Sequence, residues 1–138
     1  MKHNSKFFLV FLMLFFASCN VNNSPKNTPP SPNFKIGKTG FEKKLQTIFD
    51  FEKLLVGTSL DRNFGISKTG LNLTFKVKDL SMMSNERMHK HSEVIKFETK
   101  QSLLKLDSYD FLNVIFKEEM KDGDFTKSST VTIKKQLK

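Results

Sequence analysis

From Leu71 to Lys78 the chain reads LNLTFKVK, eight residues that alternate between apolar and polar without a break. A period of two is the signature of an extended strand. It puts Leu71, Leu73, Phe75 and Val77 on one face and Asn72, Thr74, Lys76 and Lys78 on the other. One face must be buried and the other wetted, so this strand needs a sheet with a second layer packed on one side only. The rest of the domain has to supply that layer or widen that sheet.

The flanking segments supply both. Thr39-Gly40-Phe41-Glu42 has the form of a capping box, a threonine N-cap with a glutamate three residues on. Phe41, Leu45, Ile48, Phe49, Leu55 and Val56 then recur at helical spacing, which predicts a first helix running to Gly57. Thr58 to Phe64 reads as a short strand, with Gly65 and Gly70 bounding its connection to Leu71. Ser84 or Asn85, followed by Glu86, predicts a second helix over 84–105, with a strand from Val94 to Glu98 as the alternative. Tyr109 to Glu118 is apolar on both faces: Leu112, Val114 and Phe116 on one, Tyr109, Phe111 and Ile115 on the other. Asp122-Gly123 marks a turn, and Phe125 to Lys135 alternates again with Val131 and Ile133 inward.

The order αββαββ predicts an α+β domain, a small antiparallel sheet with two helices on one face. BON-type envelope domains have a similar order, a likeness of topology alone that carries no function. With both helices on one face, Tyr109, Phe111 and Ile115 would form an apolar patch on the other. That patch is the candidate partner-binding surface, unless a loop or the preceding segment with Phe34 and Ile36 covers it.

Candidates for catalysis are few. Glu52 falls on the apolar face of the first helix, where burial would raise its pKa and suit it to acid–base work; exposed, it is an ordinary surface carboxylate. His89 and His91, in MMSNERMHKHSE, are the only histidines after Cys19. With Met82, Met83 and Met88 nearby, they have the ligand types of a thioether–imidazole metal site. On a helix, however, residues i and i+2 point about 200° apart. The imidazoles then diverge, and no metal or cofactor is expected. Glu118-Glu119 and the pair Asp122/Asp124 are the other acid clusters; the second flanks Gly123, lacks the remaining ligands of a calcium loop and reads as a solvated turn. Neither a GxSxG nor a P-loop is present.

Charge narrows the partners. Of 23 basic side chains, Lys2 and Lys6 precede Cys19, which leaves 21 against 14 acidic ones beyond it, a formal +7. Only Arg62 and Arg87 are arginines. Readers of nucleic acid lean on the arginine fork, so nucleic acid is not an expected partner. A lysine excess fits a solvated surface or attraction to anionic lipid or polymer. Lys127, Lys134, Lys135 and Lys138 fall in a terminal stretch without acids, which reads as an anion-facing segment or a frayed terminus.

The N-terminus carries an address. Lys2 and Lys6 precede ten apolar residues, Phe7 to Phe16, and small Ala17 and Ser18 follow, the form of a secretory signal. The run is half of the roughly 20 residues that span a bilayer. Cys19 is the only cysteine, so no internal disulfide can form. Phe16-Ala17-Ser18-Cys19 resembles the lipobox of bacterial lipoprotein precursors, with Phe16 where that family usually has leucine. The resemblance implies removal of residues 1–18, lipidation of the Cys19 thiol and a membrane anchor in the cell envelope. Asn20 in place of aspartate favours the outer membrane if the source has one. At about 0.8 kcal/mol per buried CH₂, two or three palmitate-length chains hold firmly.

Residues 19–33 then form a lipidated cysteine and a disordered tether. Its sequence after Cys19, NVNNSPKNTPPSPN, has four prolines and too little apolar surface to fold. Kept extended by proline, fourteen residues reach at most about 40 Å. Residues 34–138 make a single domain. The function expected is a non-catalytic interaction module, anchored by lipid, for a protein or anionic envelope partner. The alternatives are a small envelope hydrolase using Glu52 or His89, or an immunity or inhibitor lipoprotein.

Overall fold

The computed structural model describes residues 28–138; the expected signal, Cys19 and the first part of the tether lie outside the described residues. Helix α1 (Gly37–Gln46) is followed by strands β1 (Lys53–Asn63) and β2 (Ile66–Lys76). Helix α2 (Asn85–Ser102), a 3-10 turn (Leu106–Ser108) and strands β3 (Phe111–Asp122) and β4 (Phe125–Gln136) complete the domain. It is an α+β fold with one four-stranded sheet in the order β1-β2-β3-β4.

The sheet is mixed rather than antiparallel throughout. β1 with β2 and β3 with β4 are antiparallel hairpins, but β2 and β3 run parallel, from Gly70 opposite Phe111 to Lys76 opposite Lys117. Helix α2 is the cause. It carries the chain back along the sheet before β3 begins, so β3 starts at the same end as β2, the geometry of a crossover connection. The parallel pair is shorter than either hairpin, which leaves the hairpins staggered. Residues 60–69 overhang β3 at one end of the sheet, and residues 118–129 overhang β2 at the other.

The alternation that predicts β2 is realised: Leu71, Leu73, Phe75 and Val77 are all buried. They join Leu112, Val114 and Phe116 of β3, Leu54 of β1 and Ile133 of β4 in one core with Phe41 and Leu45 of α1 and Met88 and Ile95 of α2. Helices therefore cover one face. The other is polar at its centre, where Ser59 and Asn113 both donate to the Asn72 Oδ1, at 3.1 and 2.8 Å.

Two helix boundaries differ from the sequence expectation. α1 stops at Gln46, and Leu55 and Val56, expected on its apolar face, belong to β1; apolar residues of a following strand fall by chance on helical spacing. Thr39 is not the cap. The chain turns into α1 at Gly37, whose φ of 69° is costly for any residue but glycine, while Phe34 stacks on Phe41 at 4.1 Å. Glu42, freed from capping, accepts the Leu54 N–H at 2.8 Å and ties α1 to β1. α2 is one continuous helix rather than a strand at 94–98. Ser84 caps it by accepting from the Arg87 N–H, and the buried Ser92 and Thr99 hydroxyls donate to carbonyls one turn back.

The end of the expected tether is part of the fold. The Leu104 N–H donates to Asn33 O and the Lys35 N–H to Ser102 O, both at 2.8 Å, and Phe34 pairs with Leu103. Tyr109 donates its hydroxyl proton to Pro30 O at 2.9 Å. Residues 30–35 are thus a strap across the C-terminal end of α2, held by backbone groups that a proline-rich composition does not advertise.

Candidate functional site

Three chain segments meet at the end of the sheet where β2 stops. The α1–β1 loop brings Phe49, Phe51 and Glu52, with the Glu52 N–H bonded to Lys76 O at 2.8 Å. The β2–α2 loop arcs over from Val77, fixed by the Val77 N–H to Lys117 O and the Leu80 N–H to a Glu118 carboxylate oxygen. Within it Asp79 accepts from both the N–H and the hydroxyl of Ser81. These bonds hold the carboxyl of Asp79 below its usual value. The first turns of α2 close the site with Arg87 and His91.

Between them lies a cleft of about 450 Å³ with a floor of Phe49, Phe51 and Val77 and a rim of Met82, Met83, Arg87 and acidic Asp50, Glu52 and Asp79. Phe49 is its hub, packed edge-on against Phe75 and Phe116 and stacked under the His91 ring at 4.9 Å. A second hollow, beside Lys90 and Ile48, shares Arg87 and His91. Partial burial first, then the charges of Arg87 and Lys90, lower the pKa of His91 from its ordinary 6.5, so the imidazole is neutral at pH 7.

That shift has a sign. Above pH 6.5 the ring is neutral folded or unfolded and contributes no pH dependence. Below 6.5 the unfolded chain takes up a proton that the folded chain resists, so stability falls until the lowered folded pKa is passed. The urea midpoint is therefore expected to drop between pH 7.5 and 5.5, and His91→Phe, which keeps the stacked ring, is expected to flatten that drop. An undiminished drop in His91→Phe would place the effect elsewhere.

The candidates scatter. Glu52, Met82, Met83 and His91 meet in the cleft, but Glu52 is exposed at the first turn into β1 rather than buried on a helix. His89 stands exposed on α2 and Met88 is buried in the core, so the two histidines diverge as helical spacing requires. Among the described residues no group of three or more His, Cys, Asp or Glu side chains is placed to hold a metal ion. Glu119 bridges Lys76 and Lys117, and hydrogen bonds from both lower its pKa to about 2. Asp122 and Asp124 flank the exposed β3–β4 turn.

Tyr109, Phe111 and Ile115 do not form an exposed patch. Tyr109 is 1% exposed beneath the strap, and its burial raises the phenol's pKa. Phe111 is 3% exposed, its ring laid over Gly70 with the Lys134 ammonium 3.9 Å above it. Ile115 is half-buried between Thr74 and Thr132 on the polar face. The lysine-rich terminus is not frayed either. Lys134, Lys135 and Lys138 pair with Asp61, Glu93 and Asp110, and Leu137 is buried.

Sequence reasoning missed Phe49, Phe51 and Arg87 as cleft residues. Phe49 reads as part of a helix face, Phe51 falls within the same expected helix, and Arg87 carries no local signal beyond its charge. No protein-family model matches the chain, and no match is found among curated proteins or solved structures.

Proposed function

We propose that the chain is a lipid-anchored bacterial envelope protein whose domain binds without catalysis, taking an apolar side chain of a protein partner into the cleft over Phe49 and Phe51. One observation carries this reading. The cleft pairs an aromatic floor with two methionines, Met82 exposed and Met83 partly buried, and thioether side chains repack readily around varied apolar guests. Arg87 at the rim supplies a charge to orient the guest's backbone or a carboxylate. Proton transfer is poorly served, since Glu52 lies out on the rim and His91 stacks on Phe49 without a side-chain hydrogen bond among the described residues. The anchor rests on Phe16-Ala17-Ser18-Cys19 and the short apolar run before it. No described helix is long and apolar enough to cross a membrane. An immunity or inhibitor role would differ only in the partner's identity.

The test compares the native chain with Cys19→Ala and with Met82→Glu/Arg87→Glu in detergent-solubilised envelope. Native protein is expected to begin at a lipid-modified Cys19 by mass spectrometry and to bring down a stoichiometric partner. Cys19→Ala is expected to lose the lipid mass. The cleft variant, altered at two exposed positions, is expected to keep its thermal midpoint and lose about tenfold or more of the partner. A partner retained undiminished by the cleft variant overturns the binding site; an unmodified native Cys19 overturns the anchor.

A further inference from the structure

The tip of the β1–β2 hairpin spends an aromatic residue where the fold has no use for it. Phe64 and Gly65 are the two central residues of the turn, with φ of 48° and 79°. Positive φ at both positions is the hand of a type I′ hairpin, which asparagine and glycine adopt readily. A bulky residue there is held in a strained conformation, and such strain collects at functional sites. Phe64 gains no packing in return: its side chain is fully exposed, and Ile66 beside it is 63% exposed.

Charge and position identify what meets this tip. Phe64 and Ile66 stand between Arg62 and Lys68, and the nearest acid, Asp61, is already paired with Lys134. Behind the tip a hollow of about 240 Å³ opens beside Lys68 and the Asp61–Lys134 pair. The opposite tip also exposes an aromatic residue, Phe125, but Asp122 and Asp124 flank its turn and offset Lys121 and Lys127. The described chain, moreover, enters at the Phe64 end. Pro30 O accepts from Tyr109, and the next residue, Asp110, exchanges hydrogen bonds with Thr69 at the base of the overhang. The segment from Cys19 to Asn27 is therefore continuous with the domain at the end from which Phe64 projects.

We propose that Phe64 and Ile66, flanked by Arg62 and Lys68, sit in the headgroup layer of the anionic bilayer to which the chain is anchored, orienting the cleft away from it. This assignment rests on the anchor of the preceding section. Aromatic rings favour that layer, and each nearby cation adds attraction to anionic lipid.

The chain has no tryptophan, so one can be placed as a unique reporter. Full chain carrying Phe64→Trp, purified from membranes and reconstituted in vesicles of phosphatidylglycerol and phosphatidylcholine, is read with brominated acyl chains as quenchers. Phe125→Trp at the opposite tip is the control. The reporter at 64 is expected to lose about half its emission or more and to shift blue, and the one at 125 to stay unquenched. Substitution of Phe64→Asn, which suits the turn, is expected to hold or raise the thermal midpoint. A vesicle-bound chain with no quenching at 64, equal quenching at both tips, or a lowered midpoint in Phe64→Asn overturns the tip assignment alone. Protein that leaves the vesicles and lacks lipid at Cys19 overturns the anchor, and the tip assignment with it.

Discussion

Phe75→Ala is expected to destabilise the domain by about 3–5 kcal/mol, a large share of the roughly 5–15 kcal/mol that holds a domain of this kind together. Phe75 is fully buried at the centre of the sheet's covered face, with ring centroids of Phe51, Phe49 and Phe116 at 5.0, 5.1 and 6.0 Å. Its removal leaves a cavity that three rings held on two separate segments cannot all collapse into, and Phe49 loses the surface that sets the cleft floor. Phe97→Ala is the matched control, because Phe97 is 60% exposed on α2 and its truncation is expected to stay within about 0.5 kcal/mol. Urea melts of the two variants decide the matter: similar midpoints would mean that the aromatic cluster is not the centre of the core.

On the opposite face of the same strand, Gly70→Ala is expected to cost about 1–3 kcal/mol although the backbone there suits alanine. An added Cβ would lie 2.3 Å from Phe111 Cε2, 2.4 Å from Phe111 Cζ and 2.6 Å from Ser59 Oγ. The ring must lift, leave its place beneath Lys134 and meet water. Removing the ring removes the two closest contacts and leaves only the Ser59 hydroxyl, so Gly70→Ala in a Phe111→Leu background is expected to cost markedly less than in the native chain. A double-mutant cycle reads that coupling. Strictly additive effects would show that the Gly70–Phe111 contact does not set the fit of this face.

Legibility followed the range of the forces involved. β2 could be read residue by residue because its alternation is local and uninterrupted, and the apolar run of β3 marked a strand. The end of α1 could not be read, since Phe41, Leu45, Ile48 and Phe49 satisfy helical spacing and the next apolar residues continue it by chance. Nothing local states which way β3 runs beside β2; that is settled by the path of α2. Phe111 reads as exposed because a sequence does not show that Gly70 leaves space for its ring and Lys134 covers it. The cleft was half legible. Its methionines, Glu52 and His91 stand out by residue type, but Phe49 and Arg87 join them only when loops separated by some thirty residues close on each other.

The strap also decides how the domain takes a pull. Tension along the N-terminal segment loads the bonds of Pro30, Asn33 and Lys35 to the body of the fold, which lie in series along the chain. Load falls on them one after another, as in peeling tape, and not on the ladder of the sheet at once. The Phe34–Phe41 stack lies among them, between the bonds of Asn33 and Lys35, and ties the strap to α1. Six strap residues, paid out fully extended, span at most about 20 Å, so a pull on the N-terminal segment is absorbed by lengthening the strap while the cleft keeps its shape.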